Sequence, residues 1–381
     1  MRDAVIVAAK RTAIGKLGGM FKEVPPEHLV APLIKQIIQD HPIPAEDIDE
    51  VILGNAVGPG GNLARLSALT AGLPISVPGV TVDRQCGSGL EAINLAARLI
   101  QAGAGEIYFA GGVESTSLAP WKLAKPPTLH HPTGPQLFQR ARFSPEDIGD
   151  PDMGVAAENV AAKYGITRAM QDEYAYWSHK KAVHSMEQGH FNEEIVAVRD
   201  RVRDECPRPT TSMKKLSSLP PVFREGGTVT AGNACPMNDG ASVVLMMSEE
   251  KCVELGLTPV LRVVNATSAG VDPHYLGIGP IPAVTKLLER TQLTMEEIDL
   301  IEFNEAFASQ VLASLQELNI PLEKVNQQGG ALALGHPYGA SGAILITRLF
   351  TQMKEKSLKR GIATLGIGGG LGLATLVELI E

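Results

Sequence analysis

Three stretches in the first third of this chain recur in the same order near its end, and this duplication constrains the fold more than any other feature. The matched pairs are AEDIDEVILGNA (45–56) with MEEIDLIEFNEA (295–306), Ser88–Gly89 with Ser341–Gly342, and IYFAG (107–111) with IATLG (362–366). Chance explains one such match, but not three in the same order. The sequence therefore predicts two similar halves.

Apolar runs alternate with helical patterns along both halves, which is typical of layered α/β proteins. The predicted strands are Ala4–Ala9, Val51–Leu53, Val80–Val82, Ile107–Ala110, Ser242–Met247, Leu261–Val264, Leu300–Phe303, Ile362–Leu365 and Ala374–Val377. The predicted helices are Glu91–Gln101, Ala157–Lys163 and Thr167–Gln188, the last one ending at Gly189. The pattern indicates an α/β fold with most of its strands buried.

A stretch rich in Pro, His and charged residues interrupts this rhythm between the halves. We interpret it as a long insertion with two or three helices, placed as a cap over the sheets, because long excursions of this kind are usually functional. The predicted organisation is an N-terminal half (1–117), an inserted loop domain (118–223), a return to the N-terminal half (224–258) and a C-terminal half (259–381).

Charge and cysteine content exclude several classes of protein. The net charge of −8 argues against a nucleic-acid surface, which normally carries a basic face. Four cysteines without a CxxC pair indicate a reducing compartment. The first apolar run is too short for a signal peptide or a membrane span, so we expect a cytoplasmic protein that binds no membrane. We expect no metal site, because His130–His131 and the histidines at 179, 184 and 190 lack ligand spacing.

Cys86 is the first candidate for chemistry. VTVDRQCGSGL (80–90) indicates a strand, a tight turn and a helix, with Cys86 in the turn. Unpaired N–H groups at a helix start favour a thiolate, and such cysteines have pKa values of about 3.5–7.5. The alternative, a buried structural cysteine, has equal weight when this motif is taken alone.

His336 and Asn304 are the matching candidates in the second half. His336 lies in a glycine-rich turn before Ser341–Gly342, and Asn304 follows a predicted strand, as Asn55 does in the first half. Equivalent turns of two similar halves would bring Cys86 and His336 together as nucleophile and base. An Asn at a strand end suits an oxyanion donor. Each residue alone would more simply be a loop or capping residue.

The sequence resembles the thiolases over nearly its whole length. The matching stretches are VIVAAKRTAIGKLGG (5–19), ARLSALTAGLP (64–74), 83–92 around Cys86, AGGVESTS (110–117), Met153–Asn159, GTVTAGNACPMNDG (227–240), NEAFA (304–308), 325–342 and Gly368–Gly370. The resemblance implies a layered αβαβα core of two duplicated halves with an inserted loop domain that binds coenzyme A. It also implies an acyltransferase that uses coenzyme A thioesters as substrates and has no tightly bound cofactor.

The resemblance also implies roles for individual residues. Cys86 would be the nucleophile that becomes acylated, and His336 the base that activates it. Asn304 and His336 would line one oxyanion hole, and the backbone N–H groups of Cys86 and Gly368 the other. The positions that would face the pantetheine or acyl group are Met153, Phe223, Ala231, Gly232, Cys235 and Phe307.

Several positions depart from the family pattern. Thiolases usually carry a second catalytic cysteine, which moves the α-proton of the substrate, where this chain has Gly366. Asp83 stands where Asn is common, Asp152 where a His is common, and Cys235 where a Ser is common. The segment between Ser117 and Met153 is short for a tetramerisation loop, so a homodimer is expected, with a tetramer as the alternative.

These departures leave several functions open. The leading hypothesis is a thiolase-family acyltransferase with carbon–carbon chemistry weakened at Gly366. The enzymatic alternatives are acyl transfer to another acceptor, thioester hydrolysis, and decarboxylative condensation, in which loss of CO₂ generates the carbanion. A non-catalytic acyl-CoA-binding subunit is the remaining alternative. The joint presence of Cys86, His336 and Asn304 argues against it.

Overall fold

The structure, a computed structural model, describes residues 2–128, 132, 134–138 and 140–380. Its strands are β1 (Ala4–Arg11), β2 (Gly15–Lys16), β3 (Glu50–Gly54), β4 (Gly79–Val82), β5 (Ile107–Ser115), β6 (Lys122–Ala124), β7 (Gln136–Phe138), β8 (Asn238–Ser248), β9 (Leu261–Gly270), β10 (Leu300–Phe303), β11 (Arg360–Ile367) and β12 (Leu371–Leu379). Its helices are α1 (Pro26–Asp40), α2 (Leu63–Thr70), α3 (Ser88–Gln101), α4 (Met153–Tyr164), α5 (Arg168–Gln188), α6 (Met213–Ser217), α7 (Glu249–Glu254), α8 (Pro280–Thr291), α9 (Ala308–Leu318), α10 (Ala331–Leu334) and α11 (Tyr338–Lys356). Every strand and helix predicted from the sequence is confirmed, with longer ends in most cases.

The strand order shows the duplication directly. The path β10-β11-β12-β9-β1-β8-β5-β3-β4 has the same arrangement on either side of the β9–β1 junction. In the first half, β1 pairs with β8 and β8 with β5 in antiparallel fashion, and β5 pairs with β3 in parallel. In the second half, β9 pairs with β12 and β12 with β11 in antiparallel fashion, and β11 pairs with β10 in parallel. In the first half, β4 pairs in parallel with β3. In the second half, a single parallel bridge from Ile301 of β10 to Val325 occupies the equivalent position. Only two residue pairs join β1 to β9, so the halves are nearly separate sheets.

Alternation along the strands divides the core into layers. In β1, Val5 and Val7 contribute to the cluster beneath α1 and α2, whereas Ala4 and Ile6 contribute to the cluster around α3 and α11. This follows from the two-residue period of a strand. A third cluster lies between the sheet of the second half and helices α8 and α9. The order of layers is therefore helix, sheet, helix, sheet, helix, which confirms the expected αβαβα core.

The two central helices, α3 and α11, pack side by side with little space between them. A Cβ at Gly89 would lie 2.6 Å from the carbonyl oxygen of Gly339, and one at Gly342 would lie 2.5 Å from the Cβ of Leu90. Because these glycines have no side chain, the two helix N-termini come close together. The turns that precede both helices are therefore neighbours at the junction of the halves.

The stretch between β5 and β8 is fastened to the core through buried charges. Arg11 of β1 forms ion pairs with Glu194 and Asp204, and Arg348 of α11 pairs with the same Glu194. All four side chains are almost fully buried. Removing one member would leave a buried charge without its partner, which costs about 3–5 kcal/mol.

The described residues contain neither a membrane-spanning helix nor a cluster of metal ligands. None of the helices in the part of the chain that the structure describes is long and apolar enough to cross a membrane. Among the same residues, no group of three or more His, Cys, Asp and Glu side chains is arranged to hold a metal ion. His130 and His131 lie outside the described residues.

Candidate active site

Cys86 lies in a tight turn that joins β4 to α3. The turn is a single 3₁₀ segment, Gln85–Gly87, and Gly87 is the N-cap of α3. Gln85 has φ of 43°, in the left-handed region that non-glycine residues rarely adopt. Ser88 holds the turn, because its hydroxyl accepts from Arg84 N at 2.8 Å and donates to Gln85 O at 2.6 Å. Backbone strain of this kind persists where the surroundings fix it, as they do here.

Burial dominates the electrostatics of Cys86. It raises the pKa of the thiol to about 12, although hydrogen bonds from the N–H groups of Cys86 and Gly368 act in the opposite direction. The expectation of a lowered pKa at the helix start is therefore wrong. The N–H groups of the turn are present, but the loss of hydration on burial destabilises the thiolate more than their hydrogen bonds stabilise it. Cys86 is a neutral thiol at rest and needs a base.

His336 supplies a neutral imidazole at the same junction. It is 2% exposed, and burial lowers the pKa of its ring to about 4. The backbone N–H of His336 donates to Asn238 Oδ1 at 2.9 Å. Its ring atom Nδ1 lies 2.6 Å from Ser341 Oγ. The Ser341 hydroxyl donates its hydrogen to Pro337 O at 3.1 Å, so it accepts from Nδ1–H. The lone pair of His336 is thus on Nε2.

Asn304 faces that lone pair. Its Nδ2 lies 3.5 Å from His336 Nε2, at the outer limit of a hydrogen bond, and its own backbone N–H donates to Thr364 O at 3.0 Å. The following residue, Glu305, is buried and fixes the loop. It accepts from Tyr174 Oη at 2.9 Å and from Ser178 Oγ at 2.7 Å, both on α5. Asn304 is held on the same side of the site as His336.

The residues expected to face a substrate divide into two groups. Phe223 packs edge to face on Phe307, with ring centroids 6.1 Å apart, and covers Gly154 beside Met153. Cys235 joins this group, because its N–H donates to Ala306 O at 3.0 Å, next to Phe307. Ala231 and Gly232 form the second group.

The second group differs from the first in its exposure. Ala231 is exposed, whereas Gly232 is buried against Leu216 and Leu219. A Cβ at Gly232 would come within 2.7 Å of both leucine side chains. Gly232 is therefore packed against leucine side chains and not shown to face a substrate.

Sequence reasoning missed two residues at this site. The first is Ser341, which fixes the tautomer of His336. The repeat held a signal for it, since Ser341 corresponds to Ser88 in the turn of Cys86. The second is Phe143, whose ring lies against Gly368 so closely that a Cβ there would come within 2.8 Å. No periodicity or motif marks Phe143, because its segment has no counterpart in the other half.

Gly366 lies near the end of β11. Its φ is not in the left-handed region, so the backbone itself admits a side chain. A Cβ would nevertheless lie 2.9 Å from the carbonyl oxygen of Gly277 and 3.3 Å from Gln310 Nε2. A cysteine at this position therefore requires the backbone at Gly277 to shift.

Two family models match the chain, "Thiolase, N-terminal domain" over residues 4–250 and "Thiolase, C-terminal domain" over residues 257–379. A Staphylococcus epidermidis protein with the provisional name acetyl-CoA C-acetyltransferase VraB is 51% identical over 99% of both chains. The VraB protein of Staphylococcus aureus is 49% identical over the same shares. The crystal structure of the Bacillus anthracis acetyl-CoA acetyltransferase matches with a TM-score of 0.93 and 41% identity, covering 100% of this chain and 99% of that one.

Proposed function

Because the chain belongs to the thiolase family, an enzyme family of acyltransferases, we propose that it transfers acyl groups from coenzyme A thioesters through an acyl-enzyme on Cys86. One observation carries the proposal. A neutral imidazole, with an amide side chain 3.5 Å away, and a neutral thiol both lie near the same side chain, Tyr338, which supports a joint role.

The chemistry of acylation follows from these neutral groups. His336 Nε2 takes the proton of the Cys86 thiol as the sulfur attacks the thioester carbon. The oxyanion that forms is stabilised by the N–H groups of Cys86 and Gly368, which already face the sulfur. Asn304 and the protonated His336 form a second donor pair for an enolate oxygen. No tightly bound cofactor is required.

The missing side chain at Gly366 predicts weak carbon–carbon chemistry. Condensation and thiolysis need a proton moved at the substrate α-carbon, and a positioned acid or base contributes about 10²–10⁴-fold to such a step. Acylation needs no such group and remains fast. Decarboxylative condensation is the second candidate, because the same absence favours a carbanion generated by loss of CO₂.

A substrate panel tests the function. We expect acetyl-CoA and other short acyl-CoA substrates to add one acyl mass to the protein, measured by intact-mass spectrometry. We expect slow cleavage of acetoacetyl-CoA, measured by consumption of free coenzyme A. Malonyl-CoA consumed with release of CO₂ would favour the decarboxylative alternative. Absence of any adduct with every thioester would contradict the acyl-enzyme proposal and favour a binding subunit.

A cysteine at position 366 should restore part of the carbon–carbon activity. We expect Gly366→Cys to raise acetoacetyl-CoA thiolysis at least tenfold, with the roughly 10²–10⁴-fold contribution of one acid or base as the ceiling. The close Gly277 carbonyl holds the gain below that ceiling. Gly366→Ala is the matched control, since it adds the same Cβ without a thiol. Equal rates for both variants would show that Gly366 does not limit the reaction.

Assembly and location are further expectations of this proposal. We expect a homodimer in the cytoplasm, in keeping with the short segment after Ser117 and the low cysteine content. Light scattering at micromolar concentration distinguishes a dimer from a tetramer.

A further inference from the structure

We infer that the thiol of Cys235 carries the weakened α-proton transfer that remains in this enzyme, in place of the side chain that Gly366 lacks. The inference rests on the proposed acyl transfer through Cys86, and it adds a second catalytic thiol from a different part of the chain. The segment 234–237 lies between the two loops that carry Asn304 and His336.

Cys235 is fixed from both sides in this segment. Ala234 pairs with Phe307 in an antiparallel bridge, and Met237 pairs with His336 in a parallel bridge. The N–H of Cys235 donates to Ala306 O at 3.0 Å. Pro236 follows, and a residue before proline is restricted to extended conformations. The side chain is therefore presented by a rigid backbone beside the residues that bind the reacting groups.

Cys235 also interacts with Cys86 electrostatically. Burial raises the pKa of the Cys235 thiol, and the charge of a Cys86 thiolate raises it further. Cys235 is therefore protonated at rest, and its charge state is coupled to that of Cys86. Such a thiol can act first as an acid and, once deprotonated, as a strong base.

Two other titratable side chains, Glu114 and Tyr338, lie near these thiols. Glu114 is occupied, because it accepts from Asn55 Nδ2, from the N–H groups of Ala56 and Val57, and from that of Gly339. Tyr338 lies edge to face on His336 and also interacts with both thiols. Burial raises the pKa of its phenol, as it raises that of the Cys235 thiol. Tyr338 is therefore the competing group, and a Tyr338→Phe variant distinguishes it from Cys235.

The protons balance over one condensation cycle. In acylation, the Cys86 proton goes to His336, the thioester C–S bond breaks, and the departing coenzyme A thiolate takes the Cys235 proton. The Cys235 thiolate then removes a proton from the α-carbon of a second acyl-CoA. The C–H electron pair forms the new bond to the acyl carbon on Cys86, and the Cys86 thiolate leaves with the proton held by His336. Both thiols and the imidazole return to their starting states.

Exchange of the α-protons tests the inference without requiring condensation. Wild-type enzyme in D₂O with acetyl-CoA should incorporate deuterium into the acetyl methyl group, followed by NMR. We expect Cys235→Ser to lower that exchange by about 10²-fold or more while the Cys86 acyl adduct still forms. In a Gly366→Cys background the same substitution should have a much smaller effect, because the second thiol is then present.

Cys252→Ser is the matched control, because Cys252 is buried beneath the first-half sheet, and a serine hydroxyl there can still donate to Leu257 O. We expect Cys252→Ser to incorporate deuterium into the acetyl methyl group at the wild-type rate. An acyl adduct with unchanged exchange in Cys235→Ser overturns the inference and leaves the proposed function standing. Loss of exchange in Tyr338→Phe but not in Cys235→Ser overturns it in favour of the phenol. Failure of wild-type enzyme to form any adduct contradicts the proposed function itself.

Discussion

Replacing Cys86 with alanine should abolish the acyl adduct and all acyl transfer. No other thiol can substitute, because the N–H groups of Cys86 and Gly368 point at the sulfur of residue 86 and at no other cysteine sulfur described. Removing a nucleophile from a covalent mechanism typically costs on the order of 10⁶-fold. Intact-mass spectrometry after incubation with acetyl-CoA is the measurement.

Peptide mapping locates the adduct in the wild-type enzyme. Cys252→Ser, with the thiol removed from a buried position outside the site, is the control and should acylate normally. An adduct on Cys206 or Cys252, or one that survives in Cys86→Ala, would remove Cys86 from the mechanism.

The second large effect is expected at His336. His336→Ala should slow acylation by about 10²-fold or more, because it removes the proposed base of the Cys86 thiol. Between the pKa of the imidazole, about 4, and that of the thiol, about 12, both groups are neutral. The wild-type acylation rate should therefore be nearly constant from pH 5 to pH 9 and should fall as the pH approaches 4, where His336 becomes protonated. Stopped-flow release of coenzyme A measures the rate.

Ser341→Ala separates positioning from proton transfer. It leaves the imidazole in place but removes the acceptor of Nδ1–H, so the proton can move to Nε2 and the base is lost in part of the molecules. We expect a smaller loss than in His336→Ala, with the fold intact by circular dichroism. A pH profile for wild-type acylation that rises steeply through pH 7–9 would show that a thiolate, and not His336, drives the reaction.

The sequence predicted the layers of the fold because each strand and helix is encoded locally. Apolar runs such as Leu300–Phe303 have the length of a buried strand, and Thr167 and Gly189 mark the two ends of α5. The short strands β2, β6 and β7 were missed, since two or three residues carry no periodicity, and helices such as α1 and α11 were not predicted either. The order of the strands across the sheet was not predicted, because it depends on pairing between strands that are distant in sequence.

The members of the site remain a prediction, and the direction of the pKa shift of Cys86 was predicted wrongly. The repeat predicts Cys86 and His336 in equivalent turns, and those turns precede the neighbouring helices α3 and α11. The pKa of Cys86 depends mainly on burial of the sulfur by the folded protein. Burial is set by residues distant in sequence, so the helix start alone suggested the wrong direction.

Strand β8 lies between β1 and β5, yet it is separated from β5 by 122 residues (237 − 115 = 122). During synthesis, the edges of β1 and β5 that pair with β8 therefore remain unpaired until β8 leaves the ribosome. At about 5–20 residues per second this interval is on the order of 10 s. Unpaired edges of buried, apolar strands are sites of aggregation. We expect nascent chains stalled before residue 238 to depend on chaperones, whereas the second half, with all its strands within 261–379, can assemble as soon as it emerges.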